Sequence, residues 1–297
     1  MTLRALLIAA IACLGLPAQG APTTRWFRFE TAPGREAIAE ELAEDADRVM
    51  VDVASGLGVE PSGKPILVRV LHGDEAFQAA LPGAGAMTEW AAGVAFPGYD
   101  LILLKIDPNT RFTVHDVFRH EVSHIALERA VAGRALPLWF VEGVAVRQAG
   151  ERLAERWQRT AEATLGSGLL PLAALDARFP QDGAQVDLAY AEAASFVGYL
   201  LQKSGWGALR RVIALVRSGD SFASAFRSTY GRPLEEVEAD WRAVVEESAS
   251  WIPIVTGASL IWILVVGLFF WSWLQKKRQM RARLASMPHT PADDEFA

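Results

Sequence analysis

His120-Glu121-Val122-Ser123-His124 lies within 113–131, a segment whose apolar residues recur at helical spacing until Gly133 ends it. On a helix the two histidines, four positions apart, differ by about 40° in direction and about 6 Å in height. Both imidazoles can therefore converge on one point. Neutral imidazole nitrogen is a ligand for Zn²⁺ at about 2.0–2.1 Å. Glu121 is turned away from His120 by about 100°. It cannot easily join the same ion, but its carboxylate can reach a water held there, and a Lewis acid makes such a water easier to deprotonate. The bland alternative is a helix with two core or surface histidines.

A catalytic site of this kind usually has three protein ligands and one open position. Glu128, four residues past His124, fails as the third, because it stands about 12 Å along the helix from His120. His115 points elsewhere on the helix, and His72 reads as an ordinary polar residue near a strand end. Glu142 remains, within Leu136-Pro137-Leu138-Trp139-Phe140-Val141-Glu142-Gly143-Val144-Ala145. The chain passes His124 by about two turns, reverses over 133–136 and returns as a helix opened by Pro137. That brings Glu142 about level with His124. Gly143 permits a close helix–helix approach. A carboxylate in so apolar a stretch needs a compensating charge, and a dication supplies one.

Upstream of this pair of helices the pattern is mixed. Residues 26–30 alternate as a short strand, 35–55 form an amphipathic helix ended by Gly56 and Gly58, and 65–71 read as a β-branched strand. A short helix at 74–81 and a loop at 82–85 follow. Two strands, 91–96 and 100–106, are joined through Pro97-Gly98 as a hairpin. Downstream, helices are predicted near 151–165, 187–203, 206–218 and 233–249. Strands followed by runs of helices indicate an α+β class. Trp139, Phe140, Trp206 and Trp241 read as core.

The chain has 297 residues, 51% of them hydrophobic and 22% charged, with a net charge of −6 and a single cysteine. That composition excludes a disordered chain, an intrachain disulfide and a cysteine-rich metal site, and it argues against nucleic acid as a partner. The mean hydropathy of +0.17 directs attention to the ends. Residues 1–20 resemble a secretory signal: Arg4, an apolar run at 5–16 that contains Cys13, then Pro17 and Ala18-Gln19-Gly20 before a cut at Ala21. Residues 252–274 carry no charge and are flanked by Trp251, Trp271 and Trp273, then by Lys276, Lys277, Arg278, Arg281 and Arg283. They read as a membrane-spanning helix with a cytoplasmic tail. The expected organisation is a signal at 1–20, an α/β part at 21–110, a helical part with the metal site at 111–250, a transmembrane helix at 251–275 and a basic tail at 276–297. The chain is thus expected in the inner (plasma) membrane. It would cross once, with its N-terminal domain periplasmic or otherwise extracytoplasmic, and have the lipid bilayer as a partner.

The motif His120-Glu121-Val122-Ser123-His124 followed by Leu136 to Ala145 resembles the peptidase MA-like, or gluzincin, zinc metallopeptidases. The segments around Gly93-Val94-Ala95-Phe96 and Leu101-Ile102-Leu103-Leu104, and Tyr190-Ala191-Glu192-Ala193-Ala194-Ser195-Phe196-Val197-Gly198-Tyr199-Leu200, are similar to that family as well. The resemblance implies a thermolysin-like zincin core, a small mixed sheet with the active-site helix followed by a helical subdomain. In it His120, His124 and Glu142 bind Zn²⁺ and Glu121 is the general base. It also implies a peptide or protein substrate paired in extended form along an edge strand within 91–106. Tyr190 is the candidate donor to the oxyanion of the transition state, against a core tyrosine bonded to a carbonyl. The chain departs from the family pattern after Ala145, where Val146, Arg147 and Gln148 replace an aromatic and an acid. Asp187, Glu192 and Glu128 stay open as carboxylates that orient the ligands. Two rival readings are a non-catalytic binding module of the same fold near the membrane, and a structural zinc site. The intact Glu121 argues against the first, and the open fourth position against the second.

Overall fold

The computed structural model of the protein describes residues 21–81, 92–106, 113–150, 168–180 and 183–285. The expected signal at 1–20, the loop at 82–85 and the helix near 151–165 lie outside them.

The N-terminal part is built on alternation. In β1 (Phe27–Thr31) Phe27 and Phe29 are buried while Arg28 is exposed, and in β2 (Ile66–His72) Ile66, Val68 and Val70 point to the same core. Between them α1 (Glu36–Leu57) buries a stripe of Ala39, Leu42, Ala46, Met50, Val53 and Leu57. Gly58, at φ 78°, closes that helix by taking the left-handed conformation. A short helix, α2 (Gly73–Ala80), leads on to β3 (Gly93–Phe96) and β4 (Leu101–Ile106). The sheet has the order β1-β2-β4-β3, with β1, β2 and β4 parallel and β3 antiparallel to β4 at the edge. A 3-10 turn at Pro97–Tyr99 joins β3 to β4, where the sequence reads a hairpin.

β4 is buried on both faces, which is why it reads Leu-Ile-Leu-Leu without alternation. Ile102 and Leu104 join the main core, whereas Leu101 and Leu103 pack with Phe77 of α2 in a smaller cluster on the opposite face. Helix α3 (Val114–Ala130) starts at a capping box. The Thr113 Oγ1 accepts from the Asp116 N–H at 3.1 Å, and the Thr113 N–H donates to Asp116 Oδ2 at 3.4 Å. Its Phe118 meets Phe27 edge to face at 5.2 Å, seating the helix on the sheet.

The helical part follows with α4 (Leu138–Ala149), α5 (Gly183–Ser218), α6 (Phe222–Tyr230) and α7 (Leu234–Ala285). α5 is two helical stretches joined at Gly205, whose φ 67°, ψ 177° breaks the helix where two separate helices are predicted. α6 is not among the predicted helices, although Ser221 caps it by accepting from the Ser224 N–H and Gly231 closes it in left-handed conformation. Trp139, Phe140, Phe196, Phe226 and Trp241 are fully buried in the core. Each contributes a few kcal/mol of hydrophobic stabilisation, at about 25 cal/mol per Å² removed from water.

One expectation of the fold class is overturned. The described residues from Glu246 onward form a compact unit of their own. Among the described residues, no helix is long and apolar enough to cross a membrane. The C-terminal transmembrane helix read at 251–275 is therefore withdrawn.

Candidate metal centre and cleft

The site is built where α3 and α4 cross. α3 turns His120 and Glu121 inward, with Glu121 only 5% exposed, and leaves His124 half-buried one turn on. α4 starts at Pro137. Its first turn is tied down because the Leu138 N–H donates to the Asp176 carbonyl at 2.8 Å and Trp139 Nε1 donates to Asp176 Oδ1 at 3.0 Å. Burial raises the Asp176 carboxyl above its ordinary value, opposed by the Trp139 hydrogen bond and reinforced by the charge of Glu238. Behind Glu142, a Cβ on Gly143 would collide with the Ala193 carbonyl and with Val197 of α5. Only glycine lets α4 lie that close, and the contact sets the depth at which Glu142 sits.

The three side chains meet. Glu142 Oε2 lies 3.3 Å from His120 Nε2 and 3.5 Å from His124 Nε2, and one ligand atom from each residue falls within 4.8 Å of the other two. The imidazole rings stand 4.7 Å apart at 78°. Two imidazole nitrogens and a carboxylate oxygen so grouped can hold a metal ion.

A cavity of about 360 Å³ opens in front of them. Its walls include Gly93, Val94 and Ala95 of β3, then Glu121 and Tyr190. Gly93 lies against the general-base candidate: a Cβ there would sit 2.9 Å from Glu121 Oε1 and 2.5 Å from Val117 Cγ1. The Tyr190 ring lies 6.5 Å from that of His120 and is backed edge to face by Phe179 at 5.0 Å. Nothing in the sequence pattern marks Phe179 as that support.

The remaining candidates go elsewhere. His115 Nε2 pairs with Glu41 Oε1 at 2.9 Å on an exposed face. Glu128 lines the cavity wall but stands outside the group of three. Glu192 is fully buried. Its Oε1 accepts from the Leu170 N–H at 2.8 Å, and burial pushes its carboxyl up to about 7 despite that bond and the nearby charge of Arg242. Asp187 is half-buried on α5 and is likewise outside the group.

The departure from the family pattern after Ala145 has a structural use. Arg147 Nε donates to the Ala194 carbonyl at 2.8 Å, tying α4 to α5, and burial lowers the guanidinium below its ordinary value. Gln148 accepts from Ser123 Oγ, donates to the Val53 carbonyl at 2.9 Å and offers its own carbonyl to Arg119. These residues hold α1, α3 and α4 together and keep the two ligand-bearing helices in register. Such polar–polar bonds are invisible in hydrophobic periodicity, which is why sequence reading leaves 146–148 unexplained.

A family model described as the peptidase MA superfamily matches residues 45–247. No curated protein matches the chain.

Proposed function

The chain belongs to the peptidase MA superfamily, and we propose that it is a zinc metallopeptidase hydrolysing peptide bonds in the cleft between β3 and α3. The observation that supports this most is the spacing of the donors. Tetrahedral ligands at 2.0–2.1 Å from zinc stand about 3.4 Å from one another. The Glu142 oxygen is 3.3 and 3.5 Å from the two imidazole nitrogens. The donor set of two histidines and one carboxylate, with the cavity on its open side, is that of a catalytic rather than a closed structural site.

A bound zinc ion supplies Lewis acidity there, polarising the scissile carbonyl and making water easier to deprotonate. The rest falls to the chain's own side chains. Glu121, buried beside the cavity, takes the proton from the attacking water at a carboxylate oxygen and passes it to the leaving amine. The Tyr190 hydroxyl is proposed to donate to the oxyanion that develops on the former carbonyl. The outer edge of β3 offers backbone groups to an extended peptide, and Gly93 keeps that edge close to Glu121. An extracytoplasmic location is proposed from the signal-like residues 1–20, and N-terminal sequencing of the mature protein tests it.

The test is elemental analysis of the purified full-length protein together with cleavage of a peptide library, before and after chelation and after zinc is restored. One zinc per chain with cleavage that follows zinc content supports the reading. One zinc per chain with no cleavage supports a binding module of the same fold instead.

A further inference from the structure

Beyond the histidines the cavity runs along α3 to a turn. Ala132 and Gly133 both take left-handed backbone, at φ 54° and 72°. The turn places the exposed Arg134 on the cavity wall. It is stapled to α5 by two arginines. Arg134 Nε donates to the Arg217 carbonyl at 3.2 Å, and Arg217 Nη1 donates back to the carbonyl of Ala130, the last residue of α3, at 3.3 Å. Among the described residues Arg134 makes no other hydrogen bond and no ion pair, so its Nη groups are available to a ligand while its Nε edge is held.

Between Arg134 and the histidines the wall is apolar, with Leu127, Val131 and Leu136. The other charged group on this arm is Glu128, which lies beyond ion-pair distance of Arg134 and whose own charge works against an anion, so the Arg134 end of the arm is where a carboxylate is held. Val131 follows His124 by seven positions, about 10 Å along the helix. An extended peptide covers that distance in about three residues.

We infer that this arm is a subsite for a peptide carboxylate, with Arg134 as its anion-binding group and an apolar side chain of the peptide seated between it and the metal group. The inference rests on the peptidase reading and narrows the substrate class. A planar guanidinium held by one edge suits bidentate pairing with two carboxylate oxygens, which a lysine does not reproduce. The carboxylate comes either from a free C-terminus or from an aspartate or glutamate side chain, and both present the same two oxygens.

The experiment uses matched peptides whose test group stands about three residues beyond the scissile bond, with an apolar residue in between, in two pairs: C-terminal acid against C-terminal amide, and internal Glu against internal Gln. With the wild-type full chain, kcat/KM is expected to favour the carboxylate member of one pair about tenfold. Arg134→Ala should bring that ratio near one and Arg134→Glu should invert it, with Arg134→Lys only partly retaining it. The pair that responds identifies the source of the carboxylate. Affinities of the same peptides for the Glu121→Gln protein, measured by calorimetry, read the preference without turnover. Equal affinity within both pairs overturns the subsite, whatever the cleavage assay gives. A preference that survives Arg134→Ala but is lost in Glu128→Gln also overturns it. Preserved preference in binding without any cleavage by the wild type overturns the peptidase reading and leaves the subsite standing.

Discussion

Glu142 and Glu192 are both carboxylates in apolar helix stretches, yet their surroundings differ in kind. Glu142 stands 3.3–3.5 Å from two imidazole nitrogens and faces a cavity. Glu192 is fully buried and does not line that cavity: one oxygen takes the Leu170 N–H, and Arg242 and Glu238 supply the nearby charges. Those two residues pin the same strap. Arg242 donates to the Leu169 and Leu170 carbonyls and to Glu238, and Glu238 accepts from the Leu172 N–H. A buried acid is therefore not in itself the mark of a reactive centre. Converging donors beside open space are what separate a site from a structural clamp.

Variants of the two regions should behave accordingly. The largest effect is expected for Glu121→Gln, which keeps the shape of the wall but removes the base. Turnover should fall by roughly 10³-fold or more while zinc stoichiometry is unchanged, and a variant that keeps activity ends the assignment of Glu121. Glu142→Ala removes a donor, so zinc affinity should drop by more than about 100-fold, as read by competition with a chromogenic chelator. Undiminished affinity would place the third ligand elsewhere. Tyr190→Phe should lower kcat by roughly 100-fold with KM little changed, the signature of a donor used only in the transition state. An effect on stability alone would return Tyr190 to the core.

The smallest effect is expected on the clamp, and it appears in stability rather than in chemistry. The Glu192 carboxyl is raised from 4.5 to about 7 by burial. Between those pH values the folded state binds a proton that the unfolded state has lost. The stabilisation that the neutral acid contributes is complete below about pH 4.5 and is lost as pH rises through about 7, at most about 3 kcal/mol. Glu192→Gln should remove this dependence. The melting temperature of the variant should rise relative to wild type across that window, with zinc content unaffected. Parallel melting curves at all pH values would show that Glu192 is not protonated in the folded chain.

Much of the geometry of the candidate site is legible in the sequence. His120 and His124 are one helical turn apart, Pro137 opens the returning helix, and Glu142 is the acid that reaches their level. Each of these follows from the rise and pitch of a helix and a short reversal, which are local quantities. The strands and most helices are legible for the same reason, since Phe27, Phe29, Ile66, Val68 and the stripe of α1 announce their period. The membrane-spanning reading of 251–275 shows the limit of composition. It counts uncharged residues, whereas the described part of the structure contains no helix long and apolar enough to cross a bilayer.

What the sequence by itself determined is a pair of helices able to bring two imidazoles and a carboxylate to one height. Tertiary structure decided what surrounds them. It placed β3 at the sheet edge against Glu121, packed Phe179 behind Tyr190, and sent Arg147 and Gln148 to neighbouring helices rather than to the ligands. It also turned Arg134 onto the cavity wall and buried Glu192 in a clamp. Periodicity along one element reports which face is apolar. It does not report which distant segment that face meets, because contacts across tens of residues depend on how all the elements pack at once.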